Sequence, residues 1–132
     1  MLDCFTQAYQ PHGFRGSAFF PAYGTTETMT ITGHRGPDEP LRLALNAAEL
    51  ERGRVVPVVA GEETNGSRVA TLIGTGSAGM DLKVHIVQLD TRTPCADGEI
   101  GELWVAGPAV ASGYWQRPEE TEQTFQAYLA DG

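Results

Sequence analysis

Residues 81–106, DLKVHIVQLDTRTPCADGEIGELWVA, contain two alternating runs separated by an Asp97-Gly98 turn. In the first, Leu82, Val84 and Ile86 alternate against Lys83, His85 and Val87; in the second, Leu103 and Val105 alternate against Trp104. Successive side chains of a strand face opposite ways, so each run reads as a half-buried strand, and the turn pairs them antiparallel. Downstream, RPEETEQTFQAYL starts a helix with Pro118 in its first turn and Glu119 and Glu120 complementing the helix dipole, with Phe125, Tyr128 and Leu129 on one side. Trp104 is expected to pack in the sheet and Trp115 under this helix.

Upstream, Leu2, Phe5, Ala8 and Tyr9 share one helical face, and Pro11 with Gly13 ends that helix. Ser17 to Tyr23 and Glu27 to His34 read as strands; in the second, Met29 and Ile31 face away from Thr28, Thr30 and Thr32. Residues 36–66 form a Gly/Pro-punctuated excursion with a short helix at Asn46 to Arg52 and an apolar run from Val55 to Ala60, and GEETNGS (61–67) reads as a loop. Arg68 to Ile73 is another strand. The predicted class is α+β: a mostly antiparallel sheet or distorted β-barrel subdomain with flanking helices and one insertion.

The 132 residues suit one domain and carry a net charge of -8, with eight Arg and one Lys. Phosphate neutralisation needs clustered cations, so no nucleic-acid partner is expected. Cys4 and Cys95 lack metal-ligand spacing and read as reduced thiols of a cytoplasmic protein, and no run is long and apolar enough for a membrane span.

FFPAYGTTETMTI (19–31) holds the residues with the most chemistry. Gly24 permits a tight turn or close approach to a ligand, threonine hydroxyls can donate to phosphate, the Glu27 carboxylate can hold Mg²⁺, and the Tyr23 ring can carry a stacked purine. By themselves these five residues, YGTTE, also read as a plain strand-turn-strand with solvent-facing polar groups.

The stretch is followed by GEIGELWVAGPAVASGYWQRPEETEQTF. With it, the chain resembles the adenylate-forming superfamily of acyl- and aryl-CoA synthetases and nonribosomal adenylation enzymes. The family pattern Y-G-x-[ST]-E matches Tyr23 to Glu27, and G-E-[LI]-x-[VI]-x-G-x-x-[VL]-x-x-G-Y matches Gly101 to Tyr114. FTQAYQPHGFRGSAFFPAYG, ALNAAELERGRVVPV and HIVQLDTRTPCADGEIGELWVAGPAVASGYWQRPEET are most similar to fatty acyl-AMP ligases. Those enzymes usually have a small apolar residue and alanine where this chain has Thr25 and Thr26; there it follows the wider superfamily.

The resemblance implies ATP and Mg²⁺ as cofactors, a fatty acid activated to an acyl-adenylate, and delivery to an acyl carrier protein of a polyketide or lipopeptide pathway. It implies that Ala22, Tyr23, Gly24, Thr25 and Thr26 bind the nucleotide, with Tyr23 against adenine and Thr26 on the α-phosphate. Thr26 and Glu27 are the implied catalytic residues, and Glu27 the implied metal ligand. Residues 43–73 correspond to a ligase-type insertion, associated in the family with holding a mobile C-terminal domain away from its coenzyme A geometry.

Lys83 is the single lysine and lies in neither family lysine context, so residues 1–132 are expected to be a fragment, the C-terminal part of an N-terminal adenylation domain, inactive alone. A fatty acyl-CoA synthetase fragment, an amino-acid adenylation fragment and a non-catalytic binding or scaffold domain are the alternatives.

Overall fold

The computed structural model describes residues 1–59, 68–79 and 81–130. Among these residues three α-helices and eight strands follow in the order α1 (Leu2–Tyr9), β1 (Ala22–Thr25), β2 (Met29–Gly33), β3 (Arg42–Asn46), α2 (Ala47–Glu51), β4 (Val69–Ile73), β5 (Ser77–Ala78), β6 (Lys83–Gln88), β7 (Thr93–Pro94), β8 (Glu102–Ala106) and α3 (Pro118–Phe125). The strands form three sheets, ordered β1-β2-β5, β3-β4 and β7-β6-β8, with every pairing antiparallel. The antiparallel α+β expectation holds, but among the described residues the sheets remain separate and close no barrel. No described helix is long and apolar enough to cross a membrane.

The pair anticipated around Asp97-Gly98 is β6 with β8, in the register Val84↔Val105, His85↔Trp104 and Ile86↔Leu103. One face assignment is corrected. Val87, expected on the outer face, is fully buried, whereas Ile86 is 39% exposed. Val87 is where β6 gains a neighbour on each side, pairing with Pro94 of β7 and Glu102 of β8. A period-two pattern describes the environment along one pair of strands; it does not register a third.

Two strand boundaries also move. Gly16–Ala18 is a 3₁₀ turn and β1 begins only at Ala22, after Pro21, which has no N–H to give a ladder. The strand expected from Glu27 begins at Met29, because residues 26–28 make the hairpin turn. Met29 is 79% exposed at φ 57° while Ile31 is 2% exposed, so the two do not share a buried face. Thr28, expected outside, is buried and shares a 3.0 Å hydrogen bond with Thr25.

The excursion contributes β3 and α2, and β3 pairs with the strand expected after it, β4, from Arg42↔Ile73 to Asn46↔Val69. Asn46 caps α2: its Oδ1 accepts from the Ala48 N–H at 3.0 Å and the Glu49 N–H at 3.2 Å. Val55 to Val59 runs along the other side of β3, where the Asn46 N–H donates to Val56 O and the Val58 N–H to Ala44 O, both at 2.9 Å. Val56 and Val59 nevertheless keep exposed side chains. The expected 61–67 loop lies outside the described residues. Removing the cap with Asn46→Ala should cost about 1 kcal/mol. It should be read as roughly fivefold faster amide exchange in α2.

Among the described residues the fully or nearly buried apolar side chains are Ile31, Leu45, Ala47, Leu82 and Val87. Neither α1 nor α3 buries a residue completely. On α1, Phe5 instead meets Tyr9, Phe14 and Phe19 with ring centroids 4.5, 5.1 and 5.8 Å apart. At the other end, α3 stops at Phe125, so Tyr128 and Leu129 lie beyond the helix expected to hold them. The chain turns back there, and the Ala130 N–H donates to Arg92 O at 3.0 Å. Trp104 is half-buried in its sheet as expected, but Trp115 is 87% exposed and is not covered by α3.

Candidate functional site

The β1-β2 hairpin presents the Tyr23-to-Glu27 stretch. Its register shifts between Tyr23, opposite Thr32, and Gly24, opposite Thr30, leaving Ile31 as the extra residue of a bulge. The strands are so close here that a Cβ on Gly24 would sit 1.8 Å from the Met29 carbonyl oxygen. Gly24 is therefore required by its own hairpin partner; close approach to a ligand is not needed to explain it.

Thr26, Glu27 and Thr28 form the turn, with Thr25 opposite Met29 at its base. Over its tip folds the segment that ends at Tyr114. The Ala111 N–H donates to Glu27 O at 2.8 Å, and the Tyr114 hydroxyl donates to Glu27 Oε1 at 2.5 Å. The Thr26 hydroxyl donates to Glu27 Oε2 at 3.0 Å. The two sequence motifs thus meet at one carboxylate, across 87 positions of chain.

These donors favour the charged acid. The Tyr114 hydrogen bond first, then those from the backbone, Thr26 and Thr25, bring the Glu27 carboxyl from 4.5 down to about 2. The stabilisation linked to this shift is complete above pH 4.5 and is lost as pH falls toward about 2. Reciprocally, the Glu27 hydrogen bond and burial push the Tyr114 phenol above its ordinary 10.0, keeping it a donor.

Tyr23, Thr25 and Glu27 open on a cavity of about 970 Å³ that also reaches Lys83, Trp104 and Phe125. That volume is within the range of small-molecule sites. Ala22, Gly24 and Thr26 do not line it. Tyr23 is 46% exposed, leaving ring surface for stacking. Among the described residues no three His, Cys, Asp or Glu side chains cluster as a metal site. Mg²⁺ commonly takes only one or two carboxylates and completes its shell with phosphate and water, so Glu27 fits as a single protein ligand beside a nucleotide.

Tyr114 was visible in the sequence only as the end of a motif. Lys83 and Arg92, which also line the cavity, carried no spacing signal at all.

The family model described as AMP-binding enzyme matches residues 6–115. A medium-chain-fatty-acid–[acyl-carrier-protein] ligase, JamA, of Moorena producens is 39% identical over 131 residues, covering 98% of this chain and 22% of that protein. A fatty acid AMP ligase crystal structure from Legionella pneumophila superposes with a TM-score of 0.86 at 31% identity, over 99% of this chain and 22% of that one. A fatty acyl-adenylate ligase structure from L. pneumophila, in complex with acyl adenylate and pyrophosphate, gives a TM-score of 0.77 at 34% identity, over 92% and 20%. The chain therefore spans about a fifth of the length of these relatives.

Proposed function

We propose that this chain, which belongs to the AMP-binding enzyme family, is one wall of the adenylation site of a longer fatty acyl-AMP ligase. The observation that carries this reading is the Tyr114 hydroxyl on Glu27, which joins both adenylation motifs at the edge of a cavity. Similarity to fatty-acid ligases over nearly the whole chain supports the substrate class. Exposed Phe20, Leu41, Trp115 and Tyr128 on so small a core support docking within a larger protein.

In the proposed reaction a fatty carboxylate oxygen attacks the α-phosphorus of ATP. The new P–O bond forms as the bond to the β-phosphate bridge breaks, giving acyl-adenylate and pyrophosphate. No protein nucleophile is needed, only donors and charge placed where the phosphorus centre becomes crowded with negative oxygen. Tyr23 would carry the adenine, with the backbone at Ala22 and Gly24 alongside it. Thr25 and Thr26 would offer hydroxyls to phosphate, the latter on release from Glu27, and Glu27 would hold the metal. Mg²⁺, when bound, would offset phosphate charge. The proposed acceptor is an acyl carrier protein of a polyketide or lipopeptide pathway, and the proposed setting is cytoplasmic.

We assign residues 43–73, which include all of β3 but Arg42 together with α2 and β4, to the ligase-type insertion that disfavours coenzyme A. The longer enzyme should catalyse fatty-acid-dependent ATP–pyrophosphate exchange and transfer the acyl group to a carrier protein, with coenzyme A a poor acceptor. Absence of exchange would refute the ligase reading, and preferred transfer to coenzyme A would make the protein an acyl-CoA synthetase. Deleting the insertion should increase acyl-CoA formation; no increase would remove that role from it.

A further inference from the structure

We infer that Tyr114 is the positioning residue for the Glu27 carboxylate, held in place by α3 through Thr121 and Phe125, so that the adenylation motif works only with α3 docked. The inference rests on the ligase reading for what Glu27 does, and on geometry for how Glu27 is held.

Glu27 stands at the tip of a three-residue turn, where a long side chain has many rotamers to lose. Its neighbour Thr26 moves with the same turn and cannot fix the carboxylate relative to the remainder of the cavity. Tyr114 can, because it comes from a separate segment, and that segment is tied to the turn a second time by the Ala111 N–H on Glu27 O.

Tyr114 is itself built in. Its backbone N–H donates to Thr121 Oγ1 at 2.9 Å, and its ring meets Phe125 edge-on, centroids 5.2 Å apart. Both partners belong to α3. The close approach explains the glycine before it: Gly113 has φ +139°, and a Cβ there would lie 2.3 Å from Thr121 Cγ2.

The choice of partner matters chemically. Among the described residues no Lys, Arg or His forms an ion pair with Glu27. A guanidinium would fix the carboxylate equally well but cancel its charge. A neutral phenol fixes one oxygen and leaves the negative charge, with lone pairs on both oxygens, for a cation. Groups that orient a metal ligand in this way typically change metal affinity or activity about 10- to 100-fold when removed.

Tyr114→Phe deletes the hydroxyl and keeps the ring against Phe125. In the longer ligase it should weaken Mn²⁺ binding, read by electron paramagnetic resonance with α,β-methylene-ATP present, by about 10- to 100-fold. Exchange should lose kcat and apparent Mg²⁺ affinity while the fatty-acid KM stays unchanged, a split that general loosening of the fold would not produce. Thr121→Val, which removes the anchor of Tyr114 and leaves Glu27 and Tyr114 intact, should shift Mn²⁺ affinity in the same direction by a smaller factor. Unchanged Mn²⁺ affinity and exchange in both variants, beside a Glu27→Gln enzyme that loses both, would overturn the inference and leave the ligase reading standing. If the unsubstituted enzyme shows no exchange, the ligase reading fails instead, and the Mn²⁺ titrations still decide whether Tyr114 positions Glu27.

Discussion

Glu27→Gln is expected to lower fatty-acid-dependent ATP–pyrophosphate exchange by the longer enzyme about 100- to 1000-fold, the loss typical when a group preorganised for transition-state charge is removed. The substitution is nearly isosteric. A glutamine Oε1 can still accept from the Tyr114 hydroxyl, so the turn and the segment above it should stay closed. What disappears is the negative charge and the second acceptor oxygen, now bonded by Thr26. The defect should therefore fall on kcat and on Mg²⁺ dependence, leaving fatty-acid KM unchanged. Exchange at the unsubstituted rate would exclude Glu27 as the metal ligand. With its carboxyl at about 2, Glu27 stays ionised above pH 4.5, so an acid limb near neutrality must come from another group.

Gly24→Ala should disrupt the site by a different route. The added methyl would sit 1.8 Å from the Met29 carbonyl oxygen, and that obstacle is backbone, with no rotamer through which to move away. Either β1 and β2 separate or the bulge at Ile31 rearranges, and Ile31 is one of the few buried side chains among the described residues. Overpacking of this kind costs about 3 kcal/mol. Amide exchange across residues 22–33 should accelerate by roughly 100-fold, with loss of pyrophosphate exchange as Tyr23 and Glu27 leave their places. Gly53→Ala is the comparison: its φ is +75°, but among the described residues no heavy atom beyond its own chain neighbours lies within 4 Å of the added carbon. Its cost should be limited to the left-handed backbone, about 1 to 2 kcal/mol. Gly24 itself lies outside the left-handed region, so equal effects at the two positions would show that contact with Met29 does not set the cost at Gly24.

Local chemistry made several elements legible. The alternation of residues 82–87 and 103–105 located β6 and β8, and Pro118 placed the start of α3. The stretches that misled were those where a local pattern met a non-local condition. Met29 alternates correctly with Ile31 in sequence, yet the hairpin forces it to φ 57°. Trp115 resembles a core residue by composition and is exposed on the described surface.

The site divides along the same line. The sequence by itself determined that Tyr23, Gly24, Thr25, Thr26 and Glu27 form a turn-borne polar motif, because turn chemistry and strand alternation act over a few neighbouring residues. Only the tertiary structure decided that Tyr23, Thr25 and Glu27 face one cavity, that Gly24 is demanded by Met29, and that Tyr114 holds Glu27 across 87 positions. A hydrogen bond between a turn tip and a segment anchored on a distant helix leaves no periodicity in the chain. It exists only when packing has brought both ends to the same place.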